Sequence, residues 1–157
     1  ATTVDVLMEV LERYEAKDIY FENVCCIYPT APFLQVEHLV SAYQHMRHND
    51  LDSVFPVMQY TYPVHRALKI KQGRVQMVTP EHVHARSQDL EPAYHDCGQF
   101  YWFSTEKLKQ QKTLFTGNCG AIVLNEMQGH DIDTESDWQV AEFKYKTLEM
   151  KNMELMI

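Results

Sequence analysis

The sequence predicts an α/β domain, with short apolar strands gathered into one sheet and amphipathic helices covering it. Three observations predict this class. Short apolar runs stopped by turn residues recur along the chain. Segments of helical period stand between them, so strands and helices alternate. Capping signals open two of those helices.

The first segment places Val4, Leu7, Leu11 and Tyr14 on one helical face, and Thr2 with Asp5 forms a capping box. The run from Asn23 through Tyr28 is continuously apolar and ends at Pro29, the pattern of a strand buried on both faces, as in a parallel sheet. A second helix over 36–46 turns Leu39, Val40 and Tyr43 to the core. Residues 53–60 read as another buried strand, followed to residue 78 by short strands around the Gln72-Gly73 turn. Residues 99–103 and 120–124 are strands. Asp131 to Asp133 is short and extended, and Thr134 with Asp137 caps a last helix with Trp138, Ala141, Tyr145 and Leu148 inward.

With 157 residues, 45% hydrophobic and 23% charged, the chain suits one globular domain over 1–157, in which 60–78 is an excursion. No run is long and apolar enough to span a bilayer, and no membrane role is expected. Four cysteines without a CxxC pair read as reduced thiols of a cytoplasmic protein. A net charge of −8 argues against nucleic-acid binding. Residues 60–90 nevertheless carry five cations (Arg66, Lys69, Lys71, Arg74, Arg86) against two anions, which suits a small anion such as a phosphate or sugar carboxylate, or simply a solvated surface.

The sharpest chemical signal is Asp131-Ile132-Asp133. In an extended segment, residues i and i+2 face the same side, so both carboxylates share one site and form a fitting anchor for Mg²⁺. Equally, the pair reads as turn acids ahead of a helix N-terminus. Tyr28 and Thr30 lie just beyond the carboxyl end of a strand, where α/β sheets hold their ligands, or else in a proline-stiffened turn. Arg86 can hold a carboxylate or phosphate through two parallel hydrogen bonds, and tyrosines of the 94–101 stretch can stack on a sugar face. The same stretch also reads as a polar loop running into core aromatics. His82 with His84 lacks a third ligand at zinc spacing, and Cys97 with His95 is a possible nucleophile pair, although positions so near in sequence rarely face each other as required. The five glycines form no phosphate-cradling loop.

Four segments in order carry a family resemblance: Tyr28-Pro-Thr-Ala-Pro-Phe33, Arg86-Ser-Gln-Asp-Leu-Glu-Pro92, Tyr94-His-Asp-Cys-Gly-Gln-Phe-Tyr-Trp102, and Asp131-Ile-Asp-Thr134 with Asp137-Trp138 and Ala141-Glu142. Together they resemble the pseudaminic acid cytidylyltransferases, relatives of the N-acylneuraminate and deoxy-octulosonate enzymes, over nearly the whole chain. Tyr28, where the sialic acid enzymes usually carry glutamine, and the Gly98-to-Trp102 run favour the pseudaminic branch. The resemblance implies a three-layer Rossmann-like nucleotidyltransferase sheet with helices on both faces and a small dimerisation excursion. It implies transfer of CMP from CTP to the anomeric hydroxyl of an acidic nine-carbon sugar, with Mg²⁺ on the catalytic Asp131 and Asp133. By the same resemblance, Tyr28, Arg86, Gln99, Tyr101 and Phe115 line the sugar pocket, beside Thr30 as a substrate-binding candidate from its strand-end position, and Arg66 with Lys69 reaches a neighbouring site in a homodimer. The family's N-terminal strand and CTP-binding loop have no counterpart among these residues, so this chain alone is expected to be inactive. The alternatives are a cytidylyltransferase for another nonulosonate, and a non-catalytic fragment that binds a sugar acid or dimerises.

Overall fold

In the computed structural model, which describes residues 2–154, Thr2 caps α1 (Thr3–Glu15) by the expected reciprocal pair of bonds with Asp5. A cap of this kind contributes about 1 kcal/mol. The remaining elements are β1 (Asn23–Ile27), α2 (Val36–His48), β2 (Ser53–Gln59), β3 (Leu68–Lys71), β4 (Arg74–Met77), β5 (Tyr94–Asp96), β6 (Phe100–Ser104), α3 (Thr105–Gln111), β7 (Cys119–Leu124) and α4 (Glu135–Glu154).

Five strands make the main sheet. β6 lies between β1 and β2 and is antiparallel to both. β5 continues along the same edge of β2, opposite Val57 to Gln59. β7 takes the other edge of β2, parallel, over the full register from Ser53 opposite Cys119 to Met58 opposite Leu124. The α/β class holds, with a mostly antiparallel sheet. The parallel setting expected of β1 is corrected: its ladder runs antiparallel to β6, from Asn23 opposite Ser104 to Ile27 opposite Phe100. The full burial expected of β1 is corrected too: it is an edge strand, half-buried, with Ile27 exposed, and an apolar run carries no information about strand direction.

Helices cover the sheet on both sides. Alternation along β2 sends Phe55 and Val57 to one face, where Leu7 and Leu11 of α1, Leu108 of α3, Leu114, Tyr101 and Phe103 close a core. Val54 and Phe100 face the other way, against Ala42 and Met46 of α2. Here the expected inner face of α2 is rotated. Ala42 and Met46 are buried and Leu39 packs beside them, whereas Val40 is exposed and Tyr43 lies over Trp102 with ring centroids 4.7 Å apart. The small Ala42 lets the helix axis approach the sheet, which decides the face over the larger side chains. In α4 only Ala141 of the expected inner set is fully buried; Trp138 is 56% exposed, and Tyr145 is exposed as well. Tyr14 of α1 is also exposed, edge-on to Phe21.

Residues 68–77 form a separate two-stranded hairpin, β3 with β4. Its turn residues Gln72 and Gly73 have φ of 52° and 72°, the paired left-handed conformation that tight hairpins favour. Leu68, Ile70, Val75 and nearby Tyr62 are all exposed, Ile70 to 77%. Among the described residues no helix is long and apolar enough to cross a membrane.

Candidate active site

β1, β2 and β7 share one direction, so their carboxyl ends come out on the same side of the sheet. Tyr28 leaves β1 there, its backbone N–H donating to the Gln99 carbonyl at 2.9 Å. Its hydroxyl shares a 2.7 Å hydrogen bond with Thr3 Oγ1, which ties the start of α1 to the end of β1. The Tyr28 ring leans on Tyr101, centroid to centroid 5.5 Å. Tyr101 is only 5% exposed; its ring also meets Phe55 at 5.5 Å and Phe115 at 6.3 Å, and its hydroxyl donates to Asp96. Burial first, and the Asp96 carboxylate next, push the Tyr101 phenol far above the ordinary tyrosine range, so it stays protonated. Phe115 is exposed over the Phe55 ring at 4.9 Å.

Asp96 accepts a second bond, from the Gly98 N–H at 2.9 Å. Gly98 has φ of +62°, and a Cβ there would stand 2.8 Å from Asp131 Oδ1. The Asp131 carboxylate therefore rests against bare backbone, and only glycine leaves room for it. Asp131 and Asp133 are exposed on either side of the half-buried Ile132, and among the described residues neither carboxylate has a hydrogen-bond or ion-pair partner. The neighbouring acid, Asp137, is occupied. It accepts from the Thr134 hydroxyl at 2.7 Å and from the Thr134 and Asp133 amides, and these bonds, the hydroxyl's foremost, hold its carboxyl below the usual range. The loop before Asp131 is tied down by Lys144, whose ammonium donates to the carbonyls of Glu126 at 2.6 Å and Gly129 at 3.2 Å. Partial burial lowers that lysine's pKa.

Gln99 is fully buried. Its Nε2 donates to the Gln128 carbonyl at 2.7 Å, while its Oε1 has no partner among the described residues. Contacts thus link Tyr28, Tyr101 and Phe115 in one patch, and through Asp96 and Gly98 they reach Asp131. Phe115 enters from the segment before β7, next to Leu114, whose carbonyl accepts from Ser53 at the start of β2, and Gln99 lies buried against Gln128. The two arginines stand elsewhere. Arg86 forks onto Asp89 at 2.8 and 3.2 Å, both side chains being exposed, and Arg66 is exposed on a one-turn helix, Val64–Arg66, at the base of the hairpin. Thr30 is exposed with no side-chain bond among the described residues. Beside the patch, a cleft of about 400 Å³ is lined by Tyr60, Tyr62, His95, Glu126 and Lys144.

One alternative chemistry falls away. Burial, followed by the charges of Asp96 and Asp131, pushes the Cys97 thiol up to about 12, so it is no nucleophile at neutral pH. His82 lies against His65, with ring centroids 5.3 Å apart, and among the described residues no cluster of three or more His, Cys, Asp or Glu surrounds a metal position. Asp96, Gly98 and Thr3 escape the sequence reading as site residues. The Asp96-Cys97-Gly98 spacing carries a usable signal, since an Asp two residues before a Gly commonly closes a side-chain turn; Thr3 carries none.

No family model matches the chain. Among curated proteins, the pseudaminic acid cytidylyltransferase of Campylobacter jejuni subsp. jejuni serotype O:2 is 31% identical over 147 residues, 93% of this chain and 63% of that protein. Along nearly its whole length the chain is similar to this cytidylyltransferase. A Helicobacter pylori protein named for this activity and for a UDP-sugar hydrolase is 33% identical over 134 residues, 84% of this chain and 25% of its own length. A CMP-N,N'-diacetyllegionaminic acid synthase of Legionella pneumophila is more distant, at 26% over 88% of this chain and 60% of the relative. The chain spans 63% of the length of the first of these cytidylyltransferases.

Proposed function

We propose that the protein transfers CMP from CTP to pseudaminic acid. The observation that carries this reading is the 31% identity along 93% of the chain to a protein named for that reaction. The patch described above supports it. In the reaction, the sugar's anomeric oxygen forms a bond to the α-phosphorus while the α–β phosphoanhydride bond breaks and pyrophosphate leaves. Asp131 and Asp133 would hold Mg²⁺. Their exposed, unpartnered oxygens fit an ion that takes one or two carboxylates and completes its shell with water and substrate phosphates. Once bound, the ion supplies charge neutralisation at the phosphate oxygens.

The chain's own groups do the rest. Tyr28 and Phe115, backed by Tyr101, offer an aromatic wall to the sugar's apolar face. The unpartnered Gln99 Oε1 is buried, and would accept from a substrate N–H or O–H only once substrate binding uncovers it. Arg86 stands outside the patch and would meet the sugar carboxylate only by leaving Asp89, an exposed pair of little net strength, and swinging towards the site. Thr30, exposed three residues past the end of β1, would line the rim of this pocket. The apolar hairpin of residues 68–77 docks on a second copy, carrying Arg66 and Lys69 toward the partner's site, and the reaction runs in the cytoplasm with its CTP. The 26% likeness to the legionaminic acid synthase favours, as a second reading, the same transfer to another acidic nine-carbon sugar.

The test is pyrophosphate release from CTP and Mg²⁺ by the full-length protein, with pseudaminic, legionaminic and N-acetylneuraminic acids compared. Highest kcat/KM for pseudaminic acid is expected, a legionaminic preference would establish the second reading, and no release with any sugar would overturn both. The 157 residues assayed alone should release none, because their glycines form no loop to cradle a triphosphate.

A further inference from the structure

The two halves of the patch, aromatic and acidic, meet at one side chain. Asp96 accepts from the Tyr101 hydroxyl through Oδ2 and from the Gly98 amide through Oδ1. Tyr101 supports the Tyr28 ring from beneath, and Gly98 in its left-handed conformation makes the seat of the Asp131 carboxylate. We infer that Asp96 is a positioning residue: through Tyr101 it sets the sugar wall, and through Gly98 it sets the acid that meets the phosphates. The inference rests on the cytidylyltransferase reading above.

A carboxylate suits this place because it offers two acceptors to two donors. Asparagine has one oxygen and a donating NH₂ group. With its oxygen on the fixed Gly98 amide, its NH₂ faces the Tyr101 oxygen, and the phenol must swing its proton elsewhere. With its oxygen on Tyr101, two N–H groups face each other at Gly98. Either arrangement loosens one arm, and no isosteric replacement serves both.

The experiment measures steady-state kinetics of the full-length protein and three variants, varying sugar and Mg²⁺ separately. Asp96→Asn should raise the sugar KM and the Mg²⁺ needed for half-maximal rate, together by about tenfold or more, the size expected when a hydrogen bond to a charged group is lost. Tyr101→Phe should raise the sugar KM alone, and Gly98→Ala the Mg²⁺ requirement alone. Adding Asp96→Asn to Tyr101→Phe should raise the sugar KM no further. A folded Asp96→Asn protein with both constants unchanged overturns the inference, as does simple additivity with Tyr101→Phe. If Asp96→Asn fails to fold, the two other variants decide: separated effects support the inference, and effects on the same constant, or on neither, refute it. Absence of turnover by the unmutated protein overturns the proposed reaction and this inference with it.

Discussion

Replacing Asp133 or Asp131 by asparagine should separate folding from turnover. Neither carboxylate has a hydrogen-bond or ion-pair partner among the described residues, and both are exposed. Asparagine has nearly the same shape, so at position 131 it still fits the glycine seat 2.8 Å from the virtual Cβ. At position 133 the backbone amide keeps its 3.2 Å bond to Asp137, because that bond does not involve the substituted side chain. Thermal unfolding should therefore shift by no more than about 2 °C, as for surface changes that leave cap and core bonds in place. Turnover is another matter. Removing one charged anchor from a site where phosphate charge develops should lower kcat by about 10²–10³-fold. The loss should be deepest at limiting Mg²⁺ and partly recovered at saturating Mg²⁺, since the amide oxygen is a weaker ligand rather than none. The assay is pyrophosphate release by the full-length protein across a Mg²⁺ titration, with calorimetry alongside. Near-normal rates at limiting Mg²⁺ for both variants would refute the assignment of this acid pair.

The hairpin makes a second prediction: Ile70→Asp with Leu68→Asp should convert a dimer to a monomer by light scattering without unfolding it, because both side chains are exposed. An unmutated protein that runs as a monomer at high micromolar concentration would refute the interface. A third concerns alkaline pH. The Cys97 thiol is raised to about 12 from an unfolded value of 9.0, so its contribution to stability is complete below about pH 9. Above that the unfolded chain loses the proton first, and stability should fall progressively towards pH 12. Urea unfolding of Cys97→Ala and the unmutated protein across this range should show a shallower alkaline decline in the variant; identical slopes would refute the shift.

Much of the architecture is legible in the sequence because burial and capping write local patterns. The Thr2–Asp5 and Thr134–Asp137 bonds, the Gln72-Gly73 turn and the strand positions all follow from short-range chemistry. Strand direction does not. β1 would carry the same apolar run beside a parallel neighbour as beside antiparallel β6. Likewise, α2 turns Ala42 inward because a small residue permits close approach, a preference that side-chain size alone obscures. Within the patch, Tyr28, Tyr101 and Asp131 are reached through motif resemblance, and the structure adds what links them. The Asp96 carboxylate joins residues 98 and 101 by contacts that no periodicity encodes, and Thr3 reaches Tyr28 across 25 residues of sequence.

The position of β6 also governs when the sheet can assemble. β1 and β2 are made before β6, yet among the described residues they do not pair with one another; Phe100–Ser104 must insert between them. The partner on the far edge of β2 is β7, so Ser53 waits for Cys119. As the chain leaves the ribosome, α1 and α2 can form from local contacts, while β1 and β2 remain without ladders until β5 and β6 have followed. Long-range pairing of this kind slows folding, and exposed strand edges invite wrong partners in the interval. Substitutions in Phe100 or Phe103 should accordingly show their first effect in soluble yield at elevated temperature, before any change in the chemistry of the finished protein.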